Sequence, residues 1–308
     1  MRSLGRFPSS GLRGVGVAAL AVSLSACGGQ DNVSAPPRVA VLSAFPAEMA
    51  PLLAQATVND TMTINGRIFR IGVLGGVRVV LGLTGIGLVN AATTTRAVLE
   101  QIEVTGVVVS AVAGSPLQIG DVTVPAAWEF RDGTSYAAYP QWLNLADEIA
   151  APGTVSLNNC TEIPSDPSHA PVCVTQNLAI VVGGVGKSTD PYGGRAFPCQ
   201  PSGNDVLGCD VATGNAASGA GVDRPTTVAF APLDAATPVA TDNETAAIAR
   251  EAAARGVPFI AFRAVSDGAG DPLGLPGFPG QFFTYYRLAA RNAAATTVAF
   301  LERLAAGR

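Results

Sequence analysis

The chain has 308 residues, of which 48% are hydrophobic and only 14% are charged, and its formal net charge is −4. A chain of this length can bury a sizeable core as one large domain or two small ones. Because it has no run of basic residues, it lacks the electrostatic footprint of nucleic-acid-binding proteins, and we expect no nucleic-acid partner.

The N-terminus has the features of an export signal. A basic leader precedes an apolar stretch, residues 15–26, that is too short to cross a bilayer as a stable helix. The stretch ends in Leu-Ser-Ala-Cys, with Cys27 last, which resembles the lipobox of bacterial lipoproteins. The alternative is an ordinary cleaved signal peptide with an incidental cysteine.

The lipobox interpretation predicts a signal peptide over residues 1–26 and lipidation at Cys27. Residues 27–37 then form a flexible tether for a domain over 38–308. We expect the protein to be anchored in the cell envelope and to face the periplasm. The glycine after Cys27 is compatible with sorting to the outer membrane, which we favour over the inner one.

Strands and helices alternate over the first half of the domain. A β-branched apolar run predicts a buried strand, and Pro46 fits the first turn of the helix that follows. The predicted elements are a strand at 38–44, a helix from 46, a hairpin over 61–84 that turns at Asn65-Gly66, a helix at 88–102, a strand at 105–112 broken by residues 113–116, and a strand within 119–130.

The second half contains an irregular insertion, at about residues 150–225, that is rich in Pro, Gly, Asn and Ser. The elements predicted in and after it are a strand at 178–185, a helix at 243–255 closed by Gly256, a strand at 258–265, a loop at 268–280 and a helix at about 282–305. This alternation predicts an α/β fold with helices on both faces of a sheet.

The cysteines and the only histidine limit the possible chemistry. Four cysteines remain after Cys27, and in an exported protein an even number predicts two disulfides with three possible connectivities. The four candidates are Cys160, Cys173, Cys199 and Cys209. They form no paired CxxC, and His169 is the only histidine, so we expect no metal site. His169 lies in a Pro- and Ser-rich loop, which disfavours Ser-His-Asp and Cys-His catalysis.

Three acidic residues stand where strands end or helices begin. Glu48 follows the first strand, Glu244 begins the helix at 243, and Asp267 ends the strand at 258. Ligands of open α/β sheets bind at the carboxyl ends of strands. Arg263, on the same strand as Asp267, could keep one of these carboxyl groups ionised. Taken singly, each acid could instead be a helix N-terminal residue favoured by the helix dipole.

Four segments carry a resemblance to the nucleoside phosphorylases and nucleosidases, most closely to the methylthioadenosine/S-adenosylhomocysteine nucleosidases. They are VAVLSAFPAEMAPLL, GLTGIGLVNAATTTRAVLE, VVVSAVAGSPLQIGDVTVP and DNETAAIAREAAARGVPFIAFRAVSD. Together they cover almost the whole chain after the tether. The resemblance implies a single domain with a central mixed sheet flanked by helices, here with a disulfide-stapled insertion.

The resemblance also implies roles for the acidic residues. Asp267 matches the aspartate that gives a proton to N7 of the departing purine, and Ser266 matches the serine that orients it. Glu48 matches the glutamate that positions and deprotonates the attacking water, and Arg263 matches the arginine near that water. Glu244 matches the glutamate that binds the ribose 2′- and 3′-hydroxyls.

Further positions match or depart from the family pattern. Ala113 and Gly114 occupy its Ala-Gly turn, and Phe282 matches an aromatic residue that lines the pocket. Val112 replaces a serine, which removes a hydroxyl near the water or phosphate site. Asn243 replaces an apolar residue that contacts the sugar.

The resemblance therefore implies hydrolysis of the N-glycosidic bond of a purine nucleoside or thio-nucleoside, without metal or organic cofactor. We favour water over phosphate as the nucleophile because no arginine stands beside Phe45 or Gly87. The alternatives are a phosphate-dependent phosphorylase and a lipoprotein that binds nucleosides without cleaving them. Dimers are frequent in this family, so a homodimer is also implied.

Overall fold

A computed structural model describes residues 38–163, 170–201, 203–211 and 237–307. The strands are β1 (Arg38–Ser43), β2 (Thr57–Ile64), β3 (Arg67–Leu74), β4 (Val77–Leu83), β5 (Val104–Gln118), β6 (Val122–Val124), β7 (Ala127–Phe130), β8 (Ser135–Ala137), β9 (Cys160–Glu162), β10 (Pro171–Cys173), β11 (Ile180–Val182), β12 (Val185–Ser188), β13 (Ala240–Asp242) and β14 (Phe259–Ala269). The helices are α1 (Pro46–Leu53), α2 (Leu88–Gln101), α3 (Pro140–Ile149), α4 (Thr245–Ala253) and α5 (Gly280–Ala306). The predicted signal peptide, Cys27, the tether and His169 lie outside the described residues.

Twelve strands form one mixed sheet. Its main order is β2-β3-β4-β1-β5-β13-β12-β7-β8. A branch starts at β5, which also pairs with β14; β14 pairs with β6, and β6 pairs with β11. β1 is parallel to β4 and β5, and β14 is also parallel to β5. β13 is antiparallel to β5, and β6 is antiparallel to β14. The predicted α/β class with a central mixed sheet is confirmed.

Each face of the sheet has its own apolar core. Along β1, Val39 and Val41 pack on one face, and Ala40 and Leu42 pack on the other. This alternation is expected for a strand that is buried on both sides. α1, α3 and α5 cover the first face, and α2 and α4 contact each other on the second. The prediction of helices on both faces is therefore confirmed.

Several local predictions are confirmed. Asn65 (φ 49°) and Gly66 (φ 76°) form the hairpin turn between β2 and β3 in the left-handed conformation that such turns require. Pro46 lies in the first turn of α1. Gly256 (φ 64°) closes the chain turn after α4.

The predicted end of the central strand at residue 112 is wrong, because β5 continues to Gln118. β14 runs beside it to the pair Ala269 and Gln118, with register shifts near Asp267. Pro116 lies within this irregular stretch of β5. Proline has no backbone N–H group, and the irregular pairing with β14 requires no hydrogen bond from it.

Other boundaries also differ from prediction. The stretch 119–130 contains two strands, β6 and β7, with Pro125 between them. The strand predicted at 178–185 is likewise two strands, because Gly183 and Gly184 both have positive φ. α3 was not predicted; its residues Trp142, Ala146 and Ile149 are buried at helical spacing.

Two disulfides bridge neighbouring cysteines in the sequence. Cys160–Cys173 joins β9 to β10, and Cys199–Cys209 closes a loop after β12. β11 and β12 belong to the main sheet, so the predicted insertion is not separate from it. Among the described residues, none of the helices combines the length and the apolar character needed to cross a membrane.

Candidate active site

The candidate site lies where β1, β5 and β14 approach their carboxyl ends. Three consecutive residues of β5, Val112–Gly114, contact side chains from the elements on either side. The extension of β5 beyond residue 112 is what makes these contacts available.

Glu48 lies in the first turn of α1 and is only 1% exposed. One carboxyl oxygen, Oε2, accepts a hydrogen bond from the Ala44 N–H (2.7 Å), and the other, Oε1, accepts one from the Val112 N–H (2.8 Å). Burial raises the pKa of Glu48 to about 8, although the positive charge of Arg263 acts in the opposite direction. A carboxyl group with a pKa near neutrality suits proton acceptance during catalysis.

Arg263 crosses the interior of the site and is 1% exposed. Its Nη1 donates to the Val112 carbonyl oxygen (2.8 Å), and its Nε donates to the Thr245 hydroxyl (2.9 Å). Its Nη2 pairs with Asp242 (2.6 Å) and Glu244 (3.4 Å). A guanidinium group presents several donors in a fixed plane, so one side chain can hold all these groups in place.

Glu244 stands just before α4 and is 5% exposed. Its Oε1 accepts a hydrogen bond from the Gly87 N–H (2.8 Å), which belongs to the glycine turn before α2. Burial raises the pKa of Glu244, Arg263 opposes this rise, and the negative charge of Asp242 adds to it. The remaining lone pairs of this carboxyl group can accept hydrogen bonds from ligand hydroxyls.

Asp267 occupies the more open end of the site and is only partly buried. The Ser266 hydroxyl donates to its Oδ1 (2.7 Å) and also lies 3.3 Å from the Ala113 carbonyl oxygen. Burial raises the pKa of Asp267, and the bond from Ser266 lowers it. A Cβ atom on residue 114 would lie 2.7 Å from Asp267 Oδ2, so a larger residue here would displace the Asp267 carboxyl group.

Aromatic residues form a wall on the side of the site nearest Glu48. Phe282 lies edge-on to Phe45, with ring centroids 6.1 Å apart, and stacks on Tyr286 at 5.6 Å. The Phe45 N–H is itself 3.3 Å from Glu48 Oε2. Phe282 is therefore linked to the Glu48 side of the site through Phe45, and its contact with a ligand stays a prediction.

The two departures from the family pattern have different local consequences. The Val112 side chain is 5% exposed and belongs to an apolar core cluster, while its backbone serves Glu48 and Arg263. Asn243 is half-buried, and its amide lies 3.0 Å from the Thr189 hydroxyl. The backbone at position 112 thus supports both side chains, while the valine side chain offers no hydroxyl to a ligand.

Sequence reasoning missed Asp242 as part of the site. Its carboxyl group accepts hydrogen bonds from the Ser188 and Thr245 hydroxyls and pairs with Arg263. An acidic residue three positions before Thr245 at the start of an apolar helix is typical of a helix cap, and this pattern could have identified it. Nothing in its neighbourhood in the sequence indicated the contact with Arg263.

The structure therefore brings Glu48, Glu244 and Arg263 into one buried network and connects Asp267 to it through the adjacent residues of β5. The arrangement offers proton-accepting and hydroxyl-binding carboxylates near a partly open carboxyl group. In the described part of the chain, no group of three or more His, Cys, Asp or Glu side chains could hold a metal ion.

Comparison with known proteins identifies the family. The sequence profile of the phosphorylase superfamily matches residues 38–302. The chain is 25% identical over 270 residues to a 5′-methylthioadenosine/S-adenosylhomocysteine nucleosidase of Tolumonas auensis, covering 87% of this chain and 100% of that protein. It is 34% identical over 193 residues to an uncharacterized protein of Mycobacterium tuberculosis, covering 55% and 75% respectively.

Solved structures support the same fold. A nucleosidase of this type from Colwellia psychrerythraea, crystallised with adenine, has a TM-score of 0.59 and 22% identity to this chain. The match covers 88% of this chain and 98% of that structure. The predicted resemblance to the nucleoside phosphorylases and nucleosidases is confirmed, and so is the fold that it implied.

Proposed function

The chain belongs to the phosphorylase superfamily, and on this premise we propose that it hydrolyses the N-glycosidic bond of purine nucleosides. The observation that carries the proposal is the convergence of Glu48, Glu244 and Asp267 on Arg263 and residues 112–114. Three carboxyl groups that contact consecutive residues of β5 or the arginine bound to them, each with different partners, can take three different roles.

In the proposed reaction the bond between C1′ of the sugar and N9 of the purine breaks, and its electron pair goes to the base. Asp267 gives its proton to N7, so that the purine leaves as a neutral molecule. Water adds to C1′ and passes a proton to Glu48. Positive charge develops on the sugar, as in glycoside hydrolysis, and the nearby carboxylates stabilise it.

The environment of each acid supports its role. Burial raises the pKa of Asp267, which is the direction that a proton donor needs. The pKa of Glu48 is about 8 without a ligand, and a developing positive charge on the sugar favours the ionised form that accepts a proton. Arg263 holds Glu244 in position for the ribose hydroxyls.

Water is the nucleophile that suits these surroundings. Arg263 is already engaged by Asp242 and Glu244. Because two carboxyl groups already neutralise its charge, Arg263 offers little attraction to a phosphate anion. One observation favours phosphate: Arg67 is half-buried, and its Nη2 lies 2.5 Å from where a Cβ on Gly85 would stand.

We propose methylthioadenosine and related adenine thio-nucleosides as substrates, since the nucleosidases named above are similar along most of the chain. The test is to incubate the purified mature domain with methylthioadenosine, adenosine and inosine, with and without phosphate, and to measure the free base. Base release without phosphate supports the hydrolase. Dependence on phosphate supports a phosphorylase that uses Arg67, and tight binding without product supports a non-catalytic binding protein.

We also propose that the protein is exported and anchored through a lipid on Cys27, in the outer membrane. The two disulfides support this proposal, because disulfides persist in oxidising compartments. Mass spectrometry of the N-terminal peptide should find acylated Cys27, and Cys27→Ser should release the protein from the membrane fraction. An unmodified Cys27 would contradict the proposal. A homodimer stays a prediction for sedimentation analysis.

A further inference from the structure

The segment after β12 crosses the glycine turn that supports Glu244. We call residues 189–201 the arm. The ring of Tyr192, on the arm, lies against Gly87: a Cβ atom there would be only 2.9 Å from Tyr192 Cδ2. The Gly87 N–H donates to Glu244 (2.8 Å), the carboxyl group that we assign to the sugar. Gly87 therefore contacts both the Tyr192 ring and this carboxyl group.

Contacts along the arm hold the ring in place. Tyr192 packs on Phe197 with ring centroids 4.8 Å apart, and the Phe197 carbonyl oxygen accepts a hydrogen bond from the Asn90 side chain (2.6 Å). The Tyr192 N–H donates to Asp190 (3.0 Å). The arm is thus fixed to α2 through Asn90, at the same end of the helix as Gly87.

The loop that follows the arm is fixed on the opposite side. The Cys199–Cys209 disulfide closes it, and the carbonyl oxygen of Asp205 accepts a hydrogen bond from the Ala47 N–H (2.7 Å) at the start of α1. The Asp205 carboxyl group accepts one from the Tyr286 hydroxyl (2.8 Å) on α5. The chain therefore runs from the Glu244 side of the site to the Glu48 side and is anchored at both.

We propose that Tyr192 contacts the sugar of the bound nucleoside, so that the arm supplies one wall of the sugar site from within the same chain. This inference rests on the proposed function. A half-buried tyrosine ring offers a broad apolar surface at small cost in side-chain entropy, which suits packing on a ribose held by its hydroxyls. Gly87 admits the ring because it has no side chain.

The test compares Tyr192→Ala, Tyr192→Phe and the wild-type residue in the full, oxidised protein. Binding is measured in the Asp267→Asn background, where turnover is slow, and kcat and KM are measured with Asp267 present. We expect Tyr192→Ala to weaken methylthioadenosine binding and raise KM about tenfold, with kcat changed less than threefold. Adenine binding should change less than twofold, because the free base has no sugar to contact the ring.

Tyr192→Phe should bind like the wild-type residue, since it keeps the apolar ring. Tyr139→Ala, a half-buried tyrosine just before α3, is the matched control and should leave both ligands unaffected. Equal loss of adenine and methylthioadenosine affinity, or no loss of either, would overturn the assignment of Tyr192. A wild-type protein that binds and cleaves no nucleoside would overturn the proposed function itself, and the inference with it.

Discussion

The two ends of the candidate active site differ in how fully their side chains are engaged. At one end Arg263 is 1% exposed, and its nitrogens contact Val112, Thr245, Asp242 and Glu244. At the other end Asp267 is partly open, and its carboxyl group accepts a hydrogen bond from the Ser266 hydroxyl. The first end is built like a structural core, and the second leaves a carboxyl group free to act on a ligand.

This difference separates the buried residues that stabilise the structure of the site from Asp267, which we expect to act as the proton donor. A buried ion cluster is costly to break because each charge left behind loses its partner. A partly open acid can be altered with little effect on packing. Variants at the two ends should therefore differ in whether they lose activity or stability.

The largest effect should come from Asp267→Asn. The amide cannot give a proton to N7, so we expect kcat to fall by about 10²–10⁴ with little change in melting temperature. Steady-state kinetics with methylthioadenosine and thermal unfolding measure the two quantities. Asp132→Asn, at an exposed turn, is the control. A fully active Asp267→Asn protein would remove this residue from its proposed role.

Arg263→Met should act chiefly on stability. It leaves Asp242 and Glu244 buried without their cation, and such a loss costs about 3–5 kcal/mol. Arg303→Ala breaks an exposed pair with Glu148 and should cost about 0–1 kcal/mol. Denaturant unfolding compares the two variants. Equal and small losses would show that the Arg263 cluster is not a structural unit.

Glu48→Gln should change the pH dependence of stability. The folded-state pKa of about 8 lies above the ordinary value of 4.5, so the stability contributed by the neutral form is present at low pH and lost as pH rises to about 8. Glutamine does not titrate. Relative to the wild-type protein, the variant should therefore gain melting temperature between pH 5 and pH 8.5.

The control for this pH series is Glu302→Gln on the exposed surface of α5, which should follow the wild-type protein throughout. A difference between Glu48→Gln and the wild-type protein that stays constant with pH would contradict the raised pKa. The same experiment tests whether the buried end of the site holds a neutral carboxyl group before ligand binds.

The smallest effect should come from Ser266→Ala. Removing the hydroxyl takes away the 2.7 Å bond to Asp267, which leaves that acid less well oriented and raises its pKa. We expect kcat to fall about tenfold. The limb of the pH–rate profile at which activity falls with rising pH should shift to higher pH. Ser135→Ala on β8 is the surface control. An unchanged pH profile would show that Ser266 does not tune Asp267.

The sequence was sufficient to predict the parts of the fold that depend on local pattern. The apolar run of β1, the Asn65-Gly66 turn and the starts of α1 and α2 all follow from residue order. The end of β5 was not predictable, because the pairing with β14 keeps Gly114 and Pro116 in an extended strand. That tertiary contact overrides the local signal for a turn.

The site shows the same limit. Glu48, Glu244 and Asp267 were predicted from their places after strands and from the family resemblance, and the structure brings the elements that carry them together. Asp242 and Tyr192 were missed because their roles come from contacts with residues far away in the sequence, Arg263 and Gly87. The cap pattern before Thr245 marks Asp242 in the sequence, but the contacts with Arg263 and Gly87 are visible only in the fold.

A crystal structure of the Asp267→Asn protein with methylthioadenosine would test the central claim most directly. We predict N7 of the purine within hydrogen-bonding distance of the side chain at position 267, the ribose hydroxyls on Glu244, and a water molecule between C1′ and Glu48. A nucleoside bound in an ordered pose that leaves any one of these three positions without contact would contradict the account.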